Sequence, residues 1–339
     1  MGVDMKGQAL PRYLIQAEQA RPETMQDLAA LLFQISLASK AIARELGRAA
    51  LAGNLGTTGE VNVQGEMVKK LDLLTNEIMV DALEESDLVS TIVSEEMDEP
   101  LHFEKAGERA KYVVCIDPVD GSSNLDINGV VGTFFSIRRR KGLGSDQVAA
   151  DVLQPGTAQV AAGYVMYGPS TVFLYTARDG LHAFTLDPTL GEFLLSQEDI
   201  RMPAKGKTYS VNEGHFHRWH AHTRRLVEYL RTVDKATGRP YSLRYAGSMV
   251  ADLHRTLLEG GIFLYPADVD DPKKPTGKLR LLYEAAPAAL IVEEAGGRAS
   301  TGTEQIMDIQ PTAPHQRVPL IIGSPEDVAL AEEFYQERR

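Results

Sequence analysis

Apolar residues change their spacing several times along this chain, and each change marks an element. From Thr24 onward, Met25, Leu28, Leu32, Ile35 and Ile42 recur at roughly helical intervals. Thr24 and Asp27 have capping-box-like spacing just after Pro22, so a helix is expected to start near Thr24. The more polar stretch before it, residues 1–23, is expected to be a mobile arm. Gly53 to Gly65 is rich in Gly, Thr and Asn and reads as a loop. A second helix is expected from Glu66 to about Glu85, with Val68, Leu71, Leu74 and Ile78 on one face.

Short apolar runs of strand character follow. Ser90 to Val93 leads into Ser94-Glu95-Glu96, and Tyr112 to Ile116 leads into Asp117. Residues 133–138, 160–167, 172–176 and 181–185 are further strand candidates, punctuated by Gly180 and Asp187-Pro188. This middle stretch predicts a meander rather than a set of βαβ units. The character shifts again near Arg201-Met202-Pro203. Helices are then expected over Trp219 to Leu230 and Met249 to Glu259, a strand over Ile262 to Tyr265, and a helix over Leu281 to Glu294. Pro287 must sit in the first turn of that helix or kink it. Ser324 and Pro325 open a last helix as cap and first residue. The result is a mixed α/β chain with sheets covered by helices, divided as an arm 1–23, an N-terminal domain 24–200 and a C-terminal domain 201–339.

Charge narrows the partners. With 35 basic and 47 acidic side chains the net charge is −12, which disfavours nucleic acid, because a phosphate backbone needs a basic footprint. A phosphorylated small molecule remains compatible, since a divalent cation can invert the local field. The single cysteine, Cys115, excludes an intrachain disulfide and lies in an apolar run that predicts burial. No apolar run reaches membrane-spanning length, and the first residues lack the basic start and apolar core of a signal peptide. A cytoplasmic protein without a membrane partner is expected.

The chemistry concentrates in Asp117-Pro118-Val119-Asp120-Gly121-Ser122-Ser123-Asn124-Leu125-Asp126. Such residues are ordinary turn formers. Their position at a strand end, the doubled acid and the doubled serine favour a hard cation beside a phosphate instead. Glu95-Glu96 also follows an apolar strand, and the two acidic ends would converge if those strands were neighbours. Asp72 within an apolar helical stretch and Glu284 at the mouth of a helix are weaker signals. His215, His217, His220 and His222 suggest a metal tract at first sight, but their setting fits the start of a surface helix. No His-Glu-x-x-His, Gly-x-Ser-x-Gly, Walker A or Gly-x-Gly-x-x-Gly motif occurs.

The Asp117–Asp126 run resembles the signature of class I fructose-1,6-bisphosphatases, and the resemblance extends from about Asp27 to the C-terminus. Matching segments include residues 69–72, 93–96, 209–214, 247–252, 261–266 and 278–284. The short Asp-Pro-x-Asp-Gly core is shared with inositol monophosphatases, so the C-terminal matches select the sugar bisphosphatase. The resemblance implies a layered αβαβα sugar-phosphatase fold with two helix-covered sheets. It implies two or three Mg²⁺ per subunit, with Mn²⁺ as a substitute, held by Glu95, Asp117, Asp120, Glu284 and the Val119 carbonyl. Asp72 and Glu96 then resemble the pair that orients and deprotonates the attacking water, with Glu66 at a position where many members carry Asp.

For the substrate, Asp120, Gly121, Ser122 and Ser123 resemble the cradle of the scissile 1-phosphate. Asn212, His215, Tyr245, Tyr265 and Lys278 resemble the residues holding the sugar and its 6-phosphate, with histidine where many members have tyrosine. Arg244 resembles a residue lent to a neighbouring subunit, which implies a homotetramer. Lys111, Tyr112 and Arg139 match the family's AMP site, whereas Thr24-Met25-Gln26-Asp27 departs from its Gly/Thr-rich phosphate loop. The implied reaction is hydrolysis of fructose 1,6-bisphosphate at its 1-phosphate. A sedoheptulose-1,7-bisphosphatase and a catalytically silent sugar-phosphate-binding protein are the alternatives.

Overall fold

The structure, a computed structural model, describes residues 7–61, 67–103, 107, 109–142, 147–269 and 277–337. Its centre is an eight-stranded sheet. The strands are β1 (Val89–Ser94), β2 (Leu101–His102), β3 (Tyr112–Asp120), β4 (Val131–Arg139), β5 (Gln159–Tyr167), β6 (Thr171–Thr176), β7 (His182–Asp187) and β8 (Glu192–Gln197). Their spatial order is β8-β7-β6-β5-β4-β3-β1-β2. From β3 to β8 each strand pairs antiparallel with the next, so the expected meander is present. All nine residues of β3 are buried because helices cover both faces of the sheet.

One face packs on helices α1 (Leu10–Ala20), α2 (Leu28–Gly47) and α3 (Lys70–Glu85), through residues such as Leu14, Leu32, Ile35, Met79, Ile92 and Phe135. The other face packs on α4 (Met249–Glu259) and α5 (Ala286–Glu294), through Phe134, Tyr164, Leu253 and Leu290. Those helices also cover a second sheet of β9 (Thr208–Ser210), β10 (Ser242–Leu243), β11 (Ile262–Tyr265), β12 (Arg298–Ser300) and β13 (Leu320–Gly323), ordered β10-β9-β11-β13-β12. Helices Ala221–Arg231 and Pro325–Tyr335 close its far face through Leu226, Val227 and Val328. The layers are therefore αβαβα.

Several expectations need correction. Residues 7–23 are not an arm. Leu10, Tyr13 and Leu14 fall at i, i+3 and i+4, are buried, and seat α1 on the core. The backbone of Gly7 and Gln8 exchanges hydrogen bonds with Leu195, which covers the edge strand β8. No continuous helix starts at Thr24: Pro22–Met25 forms one turn, Asp27 takes a left-handed φ of 63°, and α2 begins at Leu28. The helix expected from Glu66 begins at Lys70, and Glu66 itself lies outside the described residues. The helix expected from Leu281 opens as a π-turn, Leu281–Ala285, that runs directly into α5, with Pro287 just past the junction as the second residue of α5.

Candidate active site

Two strand ends meet at the acidic centre. β1 runs parallel to β3, with Val93 beside Cys115 and Ser94 beside Ile116. Their C-terminal ends therefore share one edge, and the Glu95 amide donates to Ile116 O at 3.1 Å. In a regular strand Asp117 and Asp120 would face opposite ways. The ladder with β4 is irregular there: Asp117 opposes Phe134 and Asp120 opposes Gly132, so three steps on β3 match two on β4. That bulge turns both aspartates into one cleft.

Glu284 arrives from the adjoining layer on the π-turn. Its Oε2 accepts the Arg280 amide at 2.6 Å. Asp120 is gripped by the start of α4: Ser248 Oγ and the Val250 amide donate to Oδ2 at 2.8 Å, and the Met249 amide donates to Oδ1 at 3.2 Å. These are amides that an α-helix leaves unpaired in its first turn. Gly121 comes so close to this helix that a Cβ would lie 2.5 Å from Ser248 Cβ, and its φ of +78° also requires glycine.

Oxygen atoms of Asp117, Asp120 and Glu284 lie within 4.8 Å of one another. Among the described residues this is the one group of three or more such side chains in mutual ligating reach. Burial and the charges of Glu95, Asp120 and Glu284 push the Asp117 carboxyl well above the ordinary range. Burial raises Glu284 to about 8, even though Arg280 opposes the rise. Asp120 is raised only to about 6, because its three hydrogen bonds offset part of its desolvation. Arg280, 2.6 Å from Glu95 Oε1 and 3.8 Å from Glu284 Oε2, supplies one positive charge against four carboxylates. Asp117 Oδ1 is buried and accepts no hydrogen bond among the described residues. All-oxygen donors, crowded negative charge and an unsatisfied carboxylate oxygen fit a hard divalent cation.

The cleft, about 300 Å³, brings together most of the predicted residues. Asp72, Glu95, Glu96, Val119, Gly121, Ser122, Ser123, Asn212, His215, Tyr245, Tyr265 and Lys278 all line it. Asp72 stands in the first turn of α3, where its Oδ2 accepts the Lys69 amide at 2.9 Å. A second recess of about 250 Å³ shares Asn212, His215, Tyr265 and Lys278 with the cleft. Arg244 does not line the cleft: it is exposed, and its guanidinium donates to Leu243 O. Asp126, the last residue of the signature run, turns away and pairs with Lys69 at 2.5 Å. Lys111, just before β3, forms a separate group with Tyr112 of β3 and Arg139 of β4. Lys111 pairs with Asp27 at 2.5 Å, the Tyr112 hydroxyl donates to Gln26 O, and Arg139 lies over the Tyr112 ring at 5.7 Å.

Sequence reasoning gave no role to Arg280, Ser248 or Asp252. Arg280 stands in a segment that was matched. Ser248 carried a visible signal, a serine directly before a helix. Asp252 accepts the Ala246 and Gly247 amides and so holds the loop that presents Tyr245. The histidine tract divides as expected of a surface element: His215 enters the cleft, whereas His220 stacks on His222, which packs on Tyr335.

Comparison with known proteins agrees with this geometry. The family model for the fructose-1,6-bisphosphatase N-terminal domain matches residues 8–198, and that for the C-terminal domain matches 202–336. The chain belongs to the fructose-1,6-bisphosphatase family. A class 1 fructose-1,6-bisphosphatase of Trichormus variabilis is 51% identical over 96% of this chain and 92% of its own length. One of Chlorobium chlorochromatii is 50% identical over 97% and 98%. The crystal structure of Leishmania major fructose-1,6-bisphosphatase in holo form superposes with a TM-score of 0.90 at 37% identity, covering 97% of this chain and 99% of that one.

Proposed function

We propose that this enzyme hydrolyses the 1-phosphate of D-fructose 1,6-bisphosphate, releasing D-fructose 6-phosphate and inorganic phosphate with Mg²⁺ as cofactor. The observation that carries the reading is the buried Asp117–Asp120–Glu284 group, set in a cleft that continues past Ser122 and Ser123 to Lys278. The relatives' names supply the sugar. Asp117, Asp120, Glu284, Glu95 and the Val119 carbonyl would hold two or three Mg²⁺, with Mn²⁺ as substitute. Bound there, the cation supplies positive charge that neutralises phosphate oxygens and acidifies water.

The chain's own groups do the rest. Asp72 and Glu96, from different elements but lining one cleft, orient the attacking water and accept its proton. The Gly121–Ser123 turn holds the phosphate that leaves. Lys278, with Asn212, His215, Tyr245 and Tyr265, holds the sugar and its distant phosphate, and Lys278 adds a second cation, beside Arg280, to a cleft dominated by carboxylates. The exposed Arg244 side chain suits service to a neighbouring subunit in a homotetramer. The cytoplasmic location belongs to the same reading, and no described helix is long and apolar enough to cross a membrane. AMP, if bound at Lys111, Tyr112 and Arg139, would have to compete with the Lys111–Asp27 pair.

The test is phosphate release with Mg²⁺ from fructose 1,6-bisphosphate and from sedoheptulose 1,7-bisphosphate, with the sugar product identified. Fructose 6-phosphate should be released, and Asp120→Ala should lower kcat by about a thousandfold or more through loss of a cation ligand. Release from neither sugar, or near-normal turnover by Asp120→Ala, would overturn the reading.

A further inference from the structure

Glu284 depends on a turn that is anchored from outside the cleft. The residue before it, Tyr283, is 0% exposed and packs with Val93, Val113 and Cys115 under the acidic centre. Its hydroxyl lies 2.8 Å from His315 Nδ1. His315 Nε2 lies 3.1 Å from the main-chain oxygen of Asp98. A carbonyl only accepts, so Nε2 carries a proton, and in the neutral ring Nδ1 accepts from the Tyr283 hydroxyl. The next residue, Gln316, accepts the Leu281 amide at 2.7 Å through its carbonyl. One short segment thus holds the π-turn at its first residue and at the residue preceding Glu284.

The link crosses the molecule. Asp98 stands two positions after Glu96 and lies in the part matched by the N-terminal family model. His315 and Glu284 lie in the part matched by the C-terminal one. The acids from the two parts must stand at fixed separations to share a cation; Arg280 ties Glu95 to the base of the π-turn, and the turn, which runs on into α5, is tied to the other part a second time through His315. His315 itself does not line the cleft. We propose that His315 is a positioning residue: by bonding Tyr283 and Asp98 together it sets the separation of Glu284 from the Glu95–Glu96 turn, and thereby the affinity for divalent cations. This rests on the reading of Asp117, Asp120 and Glu284 as cation ligands.

The experiment is calorimetric titration of the intact, metal-stripped enzyme with Mn²⁺, without substrate, alongside KM and kcat. His315→Ala should weaken Mn²⁺ binding about three- to tenfold. That is less than the tenfold or more expected of a group bonded directly to a ligand, because His315 acts one residue further out. KM for fructose 1,6-bisphosphate at saturating cation should stay within about twofold. His315→Gln, whose amide can still donate to Asp98 O, should recover part of the affinity. Tyr283→Phe, a smaller change that keeps the packing, should match His315→Ala, and the double variant should add little because both remove one link. Wild-type Mn²⁺ affinity in both His315→Ala and Tyr283→Phe overturns the proposal. Additive losses in the double variant overturn it as well. Asp120→Ala separates the two levels: if it binds Mn²⁺ like wild type, the ligand reading fails; if it loses binding while His315→Ala does not, only the role of His315 fails.

Discussion

Replacing Glu284 by glutamine should make the metal-free protein more stable while abolishing its activity. The carboxyl of Glu284 is moved from the ordinary 4.5 to about 8, chiefly by burial, with Arg280 opposing and Glu95 adding to the rise. A raised carboxyl means that the folded chain keeps a proton that the unfolded chain gives up. Stability is therefore lost as pH rises from 4.5 toward 8, the reverse of the usual salt-bridged acid. At about 1.4 kcal/mol per pH unit, the cost is about 2 kcal/mol at pH 6 and about 3 kcal/mol at pH 7, and it levels near 5 kcal/mol above pH 8. Glutamine has nearly the same shape and can still accept the Arg280 amide, but carries no charge. Urea unfolding in the presence of EDTA should show Glu284→Gln ahead of wild type by about 3 kcal/mol at pH 7, with the gap closing toward pH 5. Saturating Mg²⁺ should reverse the order, because only wild type gains the cation's binding energy. A variant less stable than wild type in EDTA at pH 7, or a gap that does not change with pH, would refute the electrostatic reasoning.

Two further substitutions probe the scaffold and the far end of the cleft. Gly121→Ala places a Cβ 2.5 Å from Ser248 Cβ at a backbone φ of +78°, so stability should fall by about 2 kcal/mol or more in urea unfolding. Activity should fall with it, because Ser248 also holds Asp120; an alanine variant with wild-type stability would mean that the two loops separate freely. Lys278→Ala should raise KM more than it lowers kcat, since its contact is remote from the reacting phosphate, and steady-state kinetics showing a pure kcat defect would contradict its place.

Much of the site was legible along the chain because its parts are local. The signature run ends one apolar strand, Glu95-Glu96 ends another, and the two strands are neighbours, as the convergence argument requires. The meander of β3 to β8 was legible in short apolar runs broken by turn residues. The helix at residues 10–20 was missed although Leu10, Tyr13 and Leu14 carry its apolar stripe, because the surrounding polarity outweighed three residues. The break at Asp27 was hidden because its side chain pairs with Lys111, eighty-four positions away.

The sequence by itself determined the donors: which acids stand at strand ends, where the turn is tight enough to demand glycine, and that the chemistry would be all-oxygen and phosphate-directed. Only the tertiary structure decided how those donors combine. A bulge against β4 turns Asp117 and Asp120 the same way, a π-turn brings Glu284 to them, and the first turn of α4 secures Asp120. Arg280 and Ser248 gained their roles there too. The physical reason is that strand and helix periods are short-range properties of the chain. The burial that raises Glu284, and the repulsion that calls for a cation, arise only when segments more than a hundred residues apart share one low-dielectric cleft.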